Sequence, residues 1–239
     1  LPMRILSGHY TNVAELLAKE RPENPVYCIY PDRYTSAAAD FVAKFPGRVL
    51  YAVKANDHPQ VLRLLYDGGI RHFDCASLPE VEAARQAGDD VSCYFMTPVR
   101  LRGAAATARD KFGVRHFMLD HASGLQPLAD EIDLKRSVIF ARMAVHHESA
   151  MQDLSVRFGA PPDDVPMLLE QIAEAGAEPA LAFNVGSNVA DPRAYRHAIN
   201  VAGDVLTRLS FEIRLVDIGG GFARSYPGFD VPPLDEYIE

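Results

Sequence analysis

The stretch RVLYAVKANDHP, residues 48–59, decides the fold of this chain. Residues 51–53 have strand character, and the polar run 55–59 is typical of the loop that ends a strand. Lys54 therefore lies at the carboxyl end of a predicted strand. A solvated lysine whose stem packs on apolar neighbours is common at such a position. Its function depends on what the rest of the chain places beside it.

Similar apolar runs alternate with segments of helical composition along the whole chain. The runs are PVYCIY (25–30), RVLYAVKAN (48–56), RHFDCAS (71–77), VSCYFMTP (91–98), HFMLD (116–120), SVIFARMAV (137–145), ALAFNVGS (180–187) and IRLVDIGGGF (213–222). Several intervening segments end in glycine, as helix C-caps do. Because a parallel crossover needs a dozen residues or more, the alternation predicts a parallel sheet covered by helices.

About eight such units fit either a (β/α)8 TIM-type barrel or an open doubly wound sheet, and the count favours the barrel. The carboxyl ends of barrel strands converge on one mouth, which carries the active site. The unusual residues of this chain fall at those ends, namely Lys54, Asp74, Arg142, Ser187 and Gly219–Gly221. The fold prediction is an α/β barrel with a functional mouth.

Composition excludes several classes of function. The chain has 239 residues and a formal net charge of -8, which disfavours a nucleic-acid partner. An apolar run long enough to cross a membrane is absent from the sequence, so a membrane partner is not expected. Cys28, Cys75 and Cys93 have no CxxC spacing and fit reduced thiols of a cytoplasmic protein. His146, His147 and Glu148 lack metal-binding spacing, so no metal site is predicted.

Two glycine-containing turns could bind an anion. In DIGGGF, 217–222, three glycines follow an apolar strand and let backbone amides approach a ligand closely. In FNVGSN, 183–188, Ser187 offers a hydroxyl beside backbone amides. The alternative for this second turn is an ordinary strand-to-helix connection in which Asp191 caps the next helix. Both interpretations can hold.

Two charged residues within apolar strands need partners. Asp74 and Arg142 would each be costly to bury alone, which predicts an Asp74–Arg142 ion pair inside the barrel. Glu80 could be an ordinary first-turn helix glutamate, and Cys75 is better explained as a core residue than as a nucleophile. A lysine, phosphate cradles and buried charges on one mouth together suggest pyridoxal phosphate.

Six motifs in order carry a resemblance to a known family. They are YAVKAN (51–56), FDCAS with Glu80 (73–80), ARMAV (141–145), LSVRFGA (154–160), VGSN with DP (185–192) and DIGGGF (217–222). Together they resemble the alanine-racemase-like barrel domain of fold type III pyridoxal-phosphate enzymes, specifically the ornithine/diaminopimelate/arginine decarboxylase family. The resemblance covers nearly the whole chain.

The resemblance implies a decarboxylase of polyamine or amino-acid metabolism, with Lys54 as the catalytic Schiff-base lysine. Its small substrate would be a basic or diamino amino acid of the ornithine, lysine, arginine or diaminopimelate type. A cytoplasmic homodimer is also implied. The positions implied in cofactor binding, besides Lys54, are Asp74, Glu80, Arg142, Asn184, Ser187, Gly219, Gly220 and Gly221.

Asn184 departs from the family pattern, which has a histidine that stacks on the cofactor ring. This departure leaves open a catalytically impaired, decarboxylase-like protein that binds the cofactor or a partner. An amino-acid racemase of the same fold type is a weaker rival, since such racemases have a different glycine-rich turn. A barrel enzyme that uses another phosphorylated ligand is a third alternative.

The predicted domain organisation is an N-terminal segment, 1–30, followed by the barrel domain, 31–239. The family continues with an eighth strand and a C-terminal β domain, which these residues do not contain. The barrel is therefore expected to be incomplete at its C-terminal end. Either these residues belong to a longer protein, which is the favoured interpretation, or a second chain closes the barrel.

Overall fold

A computed structural model describes residues 8–148, 150–152 and 154–238, so residues 1–7 of the predicted N-terminal segment lie outside it. Seven parallel strands form one sheet in chain order. They are β1 (Leu50–Ala52), β2 (His72–Cys75), β3 (Ser92–Phe95), β4 (His116–Leu119), β5 (Val138–Met143), β6 (Glu178–Phe183) and β7 (Val216–Asp217).

Helices connect the strands on the outer face of the sheet. The α-helices are α1 (Val13–Glu20), α2 (Pro31–Lys44), α3 (Pro59–Asp67), α4 (Leu78–Arg85), α5 (Ala104–Phe112), α6 (Leu125–Ala129), α7 (Val165–Glu174), α8 (Arg193–Leu206) and α9 (Asp235–Ile238). None of the helices within the described ranges combines the length and the apolar character needed to cross a membrane.

Residues alternate between the two faces of the curved sheet, and both faces are buried. Outward residues such as Phe73 and Phe117 are fully buried in the core between strands and helices. Inward residues form a second, smaller core of Tyr94, Met96, Met118, Phe140, Ala180 and Ala182. Burial on both faces explains why the strands are near-continuous apolar runs.

The sheet curves as a barrel but does not close. Within the described residues β1 pairs with β2 alone and β7 with β6 alone. A cavity of about 570 Å³ lies between these two edges, lined largely by apolar residues of α2, β1 and β7. The prediction of an incomplete (β/α)8 barrel is confirmed.

One predicted unit of the alternation is wrong. Residues 25–30 form no strand, and Tyr27 in this run is 90% exposed. An apolar run becomes a strand only where a neighbouring strand pairs with it, and here the chain passes outside the sheet before α2 begins at Pro31. The first strand is therefore the one that precedes Lys54.

Candidate active site

Lys54 lies in the mouth, in the short turn Val53–Ala55 that directly follows β1. Val53 is fully buried and anchors the turn, whereas the Lys54 side chain is 66% exposed. Its Nζ lies 3.9 Å from Oδ2 of Asp74. The strand register explains the proximity, because Ala52 of β1 pairs with Asp74 of β2. Lys54 thus projects its amine over an acidic neighbour at the edge of an open mouth.

Asp74 is an inward residue of β2 whose side chain is 26% exposed. Burial raises the pKa of this carboxyl to about 7, although the charge of Lys54 acts in the opposite direction. Asp217 and Glu80 raise the pKa further by like-charge repulsion. Asp74 can therefore hold or release a proton near neutral pH.

The predicted Asp74–Arg142 ion pair is wrong. In the described part of the chain no ion pair within 4.0 Å joins them, and Asp74 pairs with Lys54 instead. The reason is topological, since β5 lies three strands from β2 whereas β1 is adjacent to it. The Arg142 guanidinium lies 5.0 Å from the centroid of the Phe158 ring. Burial lowers the pKa of Arg142, and the charges of Asp120, Asp74 and Asp217 oppose this shift.

Asp217 is a mouth residue that the sequence analysis missed. It ends β7, and its Oδ1 accepts the Gly219 amide at 2.7 Å. Burial raises its pKa, while that hydrogen bond and the charges of Arg142 and Lys54 lower it. The available signal was a carboxylate at the end of an apolar strand, directly before a glycine-rich turn.

The turns after β6 and β7 lie side by side. The Val189 amide donates to the Gly221 carbonyl at 2.8 Å. A methyl group added at Gly221, where φ is +97°, would collide with the carbonyl of Gly186. These glycines are required because two backbones approach each other directly. The two predicted anion-binding turns therefore form one surface.

Hydrogen bonding within this surface decides which amides are available. The Gly219 amide donates to Asp217, and the Gly186 amide donates to Asn184 Oδ1 at 2.9 Å. The amides of Gly220 and Gly221 donate to no residue of the described ranges. A methyl group at Gly220 would meet no atom within 4 Å. The open face of the cradle lies at Gly220.

Ser187 is exposed on the other side of this cradle. Its amide donates to the Gln152 carbonyl at 3.1 Å, and its carbonyl accepts the Met151 amide at 3.1 Å. The irregular stretch 146–166 thus contacts the cradle through residues 151 and 152. Ser149 and Asp153 of this stretch lie outside the described residues.

Glu80 occupies a capping box at the start of α4. Its carboxylate accepts the Ala76 amide at 2.9 Å and the Ser77 hydroxyl at 3.3 Å, and the Ser77 oxygen accepts the Glu80 amide. This is the first-turn role considered as its alternative. Cys75 is fully buried in the core, as predicted. Across the described residues no group of three or more potential ligands could hold a metal ion.

The mouth fits pyridoxal phosphate by the chemistry of its residues. An exposed primary amine suits an aldehyde. Two backbone amides without a hydrogen-bond acceptor in the described ranges, those of Gly220 and Gly221, suit a phosphate, and there is open space at Gly220. Two carboxylates of raised pKa, Asp74 and Asp217, are held beside Lys54 and Arg142. Fold and site together define the class as a barrel domain built for a lysine-bound phosphorylated aldehyde.

Comparison with known proteins agrees with this class. The family described as "Pyridoxal-dependent decarboxylase, pyridoxal binding domain" matches residues 32–238. The chain belongs to this family, which confirms the resemblance and pyridoxal phosphate as the cofactor.

Individual relatives share the barrel. Lysine/ornithine decarboxylase of Selenomonas ruminantium is 35% identical over 180 residues, 73% of this chain and 44% of that protein. Ornithine decarboxylase of Panagrellus redivivus is 34% identical over 75% of this chain and 41% of its own length. Antizyme inhibitor 2 of Xenopus laevis is 30% identical over 72% of this chain and 36% of its own length. The chain spans less than half the length of each of these relatives.

A solved structure gives the same result. Lysine decarboxylase from Selenomonas ruminantium has a TM-score of 0.78 and 28% identity, covering 90% of this chain and 57% of that chain. Its match confirms that the open seven-stranded sheet has the barrel architecture of a decarboxylase.

Proposed function

We propose that the protein is a pyridoxal-phosphate-dependent decarboxylase of a basic or diamino amino acid, with Lys54 as its catalytic residue. One observation carries the proposal. The Lys54 amine lies 3.9 Å from Asp74, whose pKa of about 7 places it at the midpoint of titration near neutral pH. A carboxyl group whose pKa is shifted by burial and which lies beside a charged amine is typical of a functional site.

The remaining mouth residues have complementary roles. When bound, pyridoxal phosphate supplies an electron sink for bond cleavage at the substrate α-carbon. Lys54 would hold the cofactor covalently through its side-chain amine. Gly220 and Gly221 would bind the phosphate through their amides, and Ser187 would add its hydroxyl from the facing loop. Gly219 shapes the turn, since its amide donates to Asp217.

The charged residues complete the polar side of the pocket. Asp74 and Asp217 balance the positive charges of Lys54 and Arg142. Glu80 adds negative charge behind Asp74 while it caps α4. Water is partly excluded from this layer, so each charge acts more strongly than it would at the surface.

The substrate class follows from the relatives. The two decarboxylases reported above act, by name, on lysine and ornithine or on ornithine. We place the reaction in amino-acid or polyamine metabolism, and the protein in the cytoplasm as a homodimer, by the same analogy.

A second candidate is a decarboxylase-like protein that binds cofactor or a partner without catalysis. Asn184 favours it, because its side chain closes a turn onto the Gly186 amide and offers no aromatic face to a cofactor ring. The relative named antizyme inhibitor 2 bears a name that describes an inhibitor rather than an enzyme. The exposed amine of Lys54 beside Asp74 favours the enzyme.

The test is release of carbon dioxide by the protein at its natural length, supplied with pyridoxal phosphate. Ornithine, lysine, arginine and diaminopimelate are compared with leucine, which lacks the second amine. We expect turnover of at least one of the four and none of leucine. Covalent cofactor binding without turnover of any amino acid would support the second candidate. Equal turnover of leucine would contradict the proposed substrate class.

A further inference from the structure

Residues 158–160, which end the LSVRFGA motif, lie against the carboxyl end of β5 like a short additional strand. The Ala160 amide donates to the Arg142 carbonyl at 2.8 Å, and the Ala160 carbonyl accepts the Ala144 amide at 2.8 Å. Gly159 has φ +106°, and a methyl group there would overlap the backbone of Ala144. The segment therefore fits β5 in one close arrangement.

Asp120, which follows the neighbouring strand β4, accepts a hydrogen bond from this segment. It is the first residue after β4, and its Oδ2 accepts the Gly159 amide at 3.2 Å. Among the carboxylates whose charge acts on the half-buried Arg142, Asp120 has the largest effect on its pKa. No ion pair within 4.0 Å joins Asp120 and Arg142 in the described ranges, whereas the Gly159 amide joins Asp120 to the segment.

Phe158 brings the segment 158–160 into contact with Arg142 at the mouth. Its ring lies beside the Arg142 guanidinium, at 5.0 Å from Cζ to the ring centroid. A ring at this distance attracts the cation and restricts the rotamers of a long side chain. Because Phe158 directly precedes Gly159, an interaction that fixes Gly159 also keeps the Phe158 ring next to Arg142.

We propose that Asp120 is a positioning residue, which fixes Phe158 against Arg142 by accepting the Gly159 amide and so sets the orientation of Arg142 in the cofactor pocket. The role of Arg142 toward the cofactor rests on the proposed function. The hydrogen bond from Gly159 to Asp120 does not, and it can be measured without cofactor.

The experiment compares Asp120→Ala with Asp120→Asn, which retains an oxygen that can accept the Gly159 amide. Asp164→Ala is the matched control, since Asp164 is an exposed carboxylate lining the same side cavity as Asp120 and Gly159. Hydrogen exchange of the peptide 154–160 is measured by mass spectrometry in the cofactor-free, natural-length protein. The dissociation constant for pyridoxal phosphate is measured by absorbance titration of the same samples.

We expect exchange of this peptide to quicken about tenfold in Asp120→Ala, the size expected for one hydrogen bond to a charged acceptor. The dissociation constant should rise at least fivefold in the same variant. Asp120→Asn should recover most of both effects, and Asp164→Ala should match the unmodified protein. Recovery by the amide distinguishes positioning through a hydrogen bond from a general effect of charge.

Unchanged exchange in Asp120→Ala would overturn the inference, and so would faster exchange with unchanged cofactor affinity. If the unmodified protein binds no pyridoxal phosphate, the proposed function fails while the exchange data still decide the contact. Should Asp120→Ala not fold, Phe158→Leu replaces it. That variant keeps the Gly159 hydrogen bond, so we expect normal exchange and at least threefold weaker cofactor binding. Unchanged affinity in Phe158→Leu would also overturn the inference.

Discussion

The two ends of the barrel interior both carry polar groups, but these groups differ in charge. Near the amino ends of β2 and β4, here called the foot, Tyr94 of β3 stacks on His116 with ring centroids 4.0 Å apart. Arg48 donates to the Tyr94 hydroxyl at 3.4 Å, and His72 packs edge-on against the same ring. Burial and the charge of Arg48 lower the pKa of both histidines, so both are neutral at pH 7.

The mouth contains side chains that can carry charge near neutral pH. Lys54, Asp74, Asp120, Arg142 and Asp217 are arranged there, and two of the carboxylates have raised pKa values. Retained charges in a partly desolvated layer cost stability unless a ligand completes their partners. The comparison teaches that the foot is built to support the fold, whereas the mouth is built to receive a charged ligand.

The largest expected difference between the mouth and the foot is the effect of substitutions on catalytic activity. Lys54→Ala should reduce decarboxylation at least a thousandfold, because the covalent anchor of the cofactor is lost. The free energy of unfolding should change by less than about 0.5 kcal/mol, since the Lys54 side chain is largely exposed and its 3.9 Å contact with Asp74 is long. His116→Gln at the foot should retain kcat/KM within about threefold. Steady-state kinetics and urea unfolding check both variants, and comparable activity losses in the two would erase the distinction.

The second effect concerns the pH dependence of stability. The folded-state pKa of Asp74, about 7, lies above its unfolded value near 4. The contribution of Asp74 to the free energy of unfolding is therefore lost as pH rises from about 4 to 7. The folded-state pKa of His116, about 4, lies below its unfolded value near 6.5, so its contribution is lost as pH falls through that window.

Variants should reveal these opposite slopes in the cofactor-free protein. Between pH 5 and pH 8, Asp74→Asn should gain about 2 to 3 kcal/mol relative to the unmodified protein. His116→Gln should change by about 2 kcal/mol in the opposite direction over the same range. Urea unfolding at the two pH values measures both. Slopes of the same sign would contradict the account of the two ends.

The third effect lies within the mouth and uses two adjacent glycines. Gly221→Ala should destabilise the protein by about 2 kcal/mol or more, because its φ of +97° is strained for alanine and the methyl group meets Gly186. Gly220→Ala has open space and should change stability by less than about 0.5 kcal/mol. We expect Gly220→Ala to weaken pyridoxal phosphate binding about tenfold. Unchanged affinity in that variant would place the phosphate elsewhere.

The smallest expected effect tests whether Glu80 acts only as a helix cap or also supports cofactor binding. Ser77→Ala should cost about 1 kcal/mol through the lost helix cap. Glu80→Gln keeps the capping box and should cost less than about 0.5 kcal/mol. Through the lost charge beside Asp74, it should weaken cofactor binding about threefold. Thermal unfolding and cofactor titration measure these effects, and a Glu80→Gln variant with unaltered affinity would leave Glu80 as a cap alone.

The sequence predicted the alternation of strands and helices because hydrophobic periodicity is local information. Residues 25–30 show the limit of this kind of prediction. They have the apolar pattern of a strand but form none, because no neighbouring strand pairs with them. The positions of Lys54 and of the glycine turns followed from strand ends for the same local reason. Strand order in the sheet determines which charged residues are neighbours, and the sequence alone did not indicate it. We therefore expected Asp74 to pair with Arg142, whereas it pairs with Lys54.

Asp217 and Asp120 could not be assigned from the sequence for a related reason. Each is an ordinary aspartate after an apolar run, and its role depends on a hydrogen bond to a glycine amide. In Asp217 the partner is two residues away, whereas in Asp120 it is 39 residues away. Such contacts emerge only when the loops are folded against one another.

The most direct test of the central claim is borohydride reduction of the natural-length protein after incubation with pyridoxal phosphate. The account predicts that reduction fixes the cofactor to a single peptide, and that fragment masses place it on Lys54. Lys54→Ala should carry no label, while the foot variant His116→Gln should be labelled like the unmodified protein. Absence of label, or label on a lysine other than Lys54, would contradict the assignment of the mouth as the cofactor site.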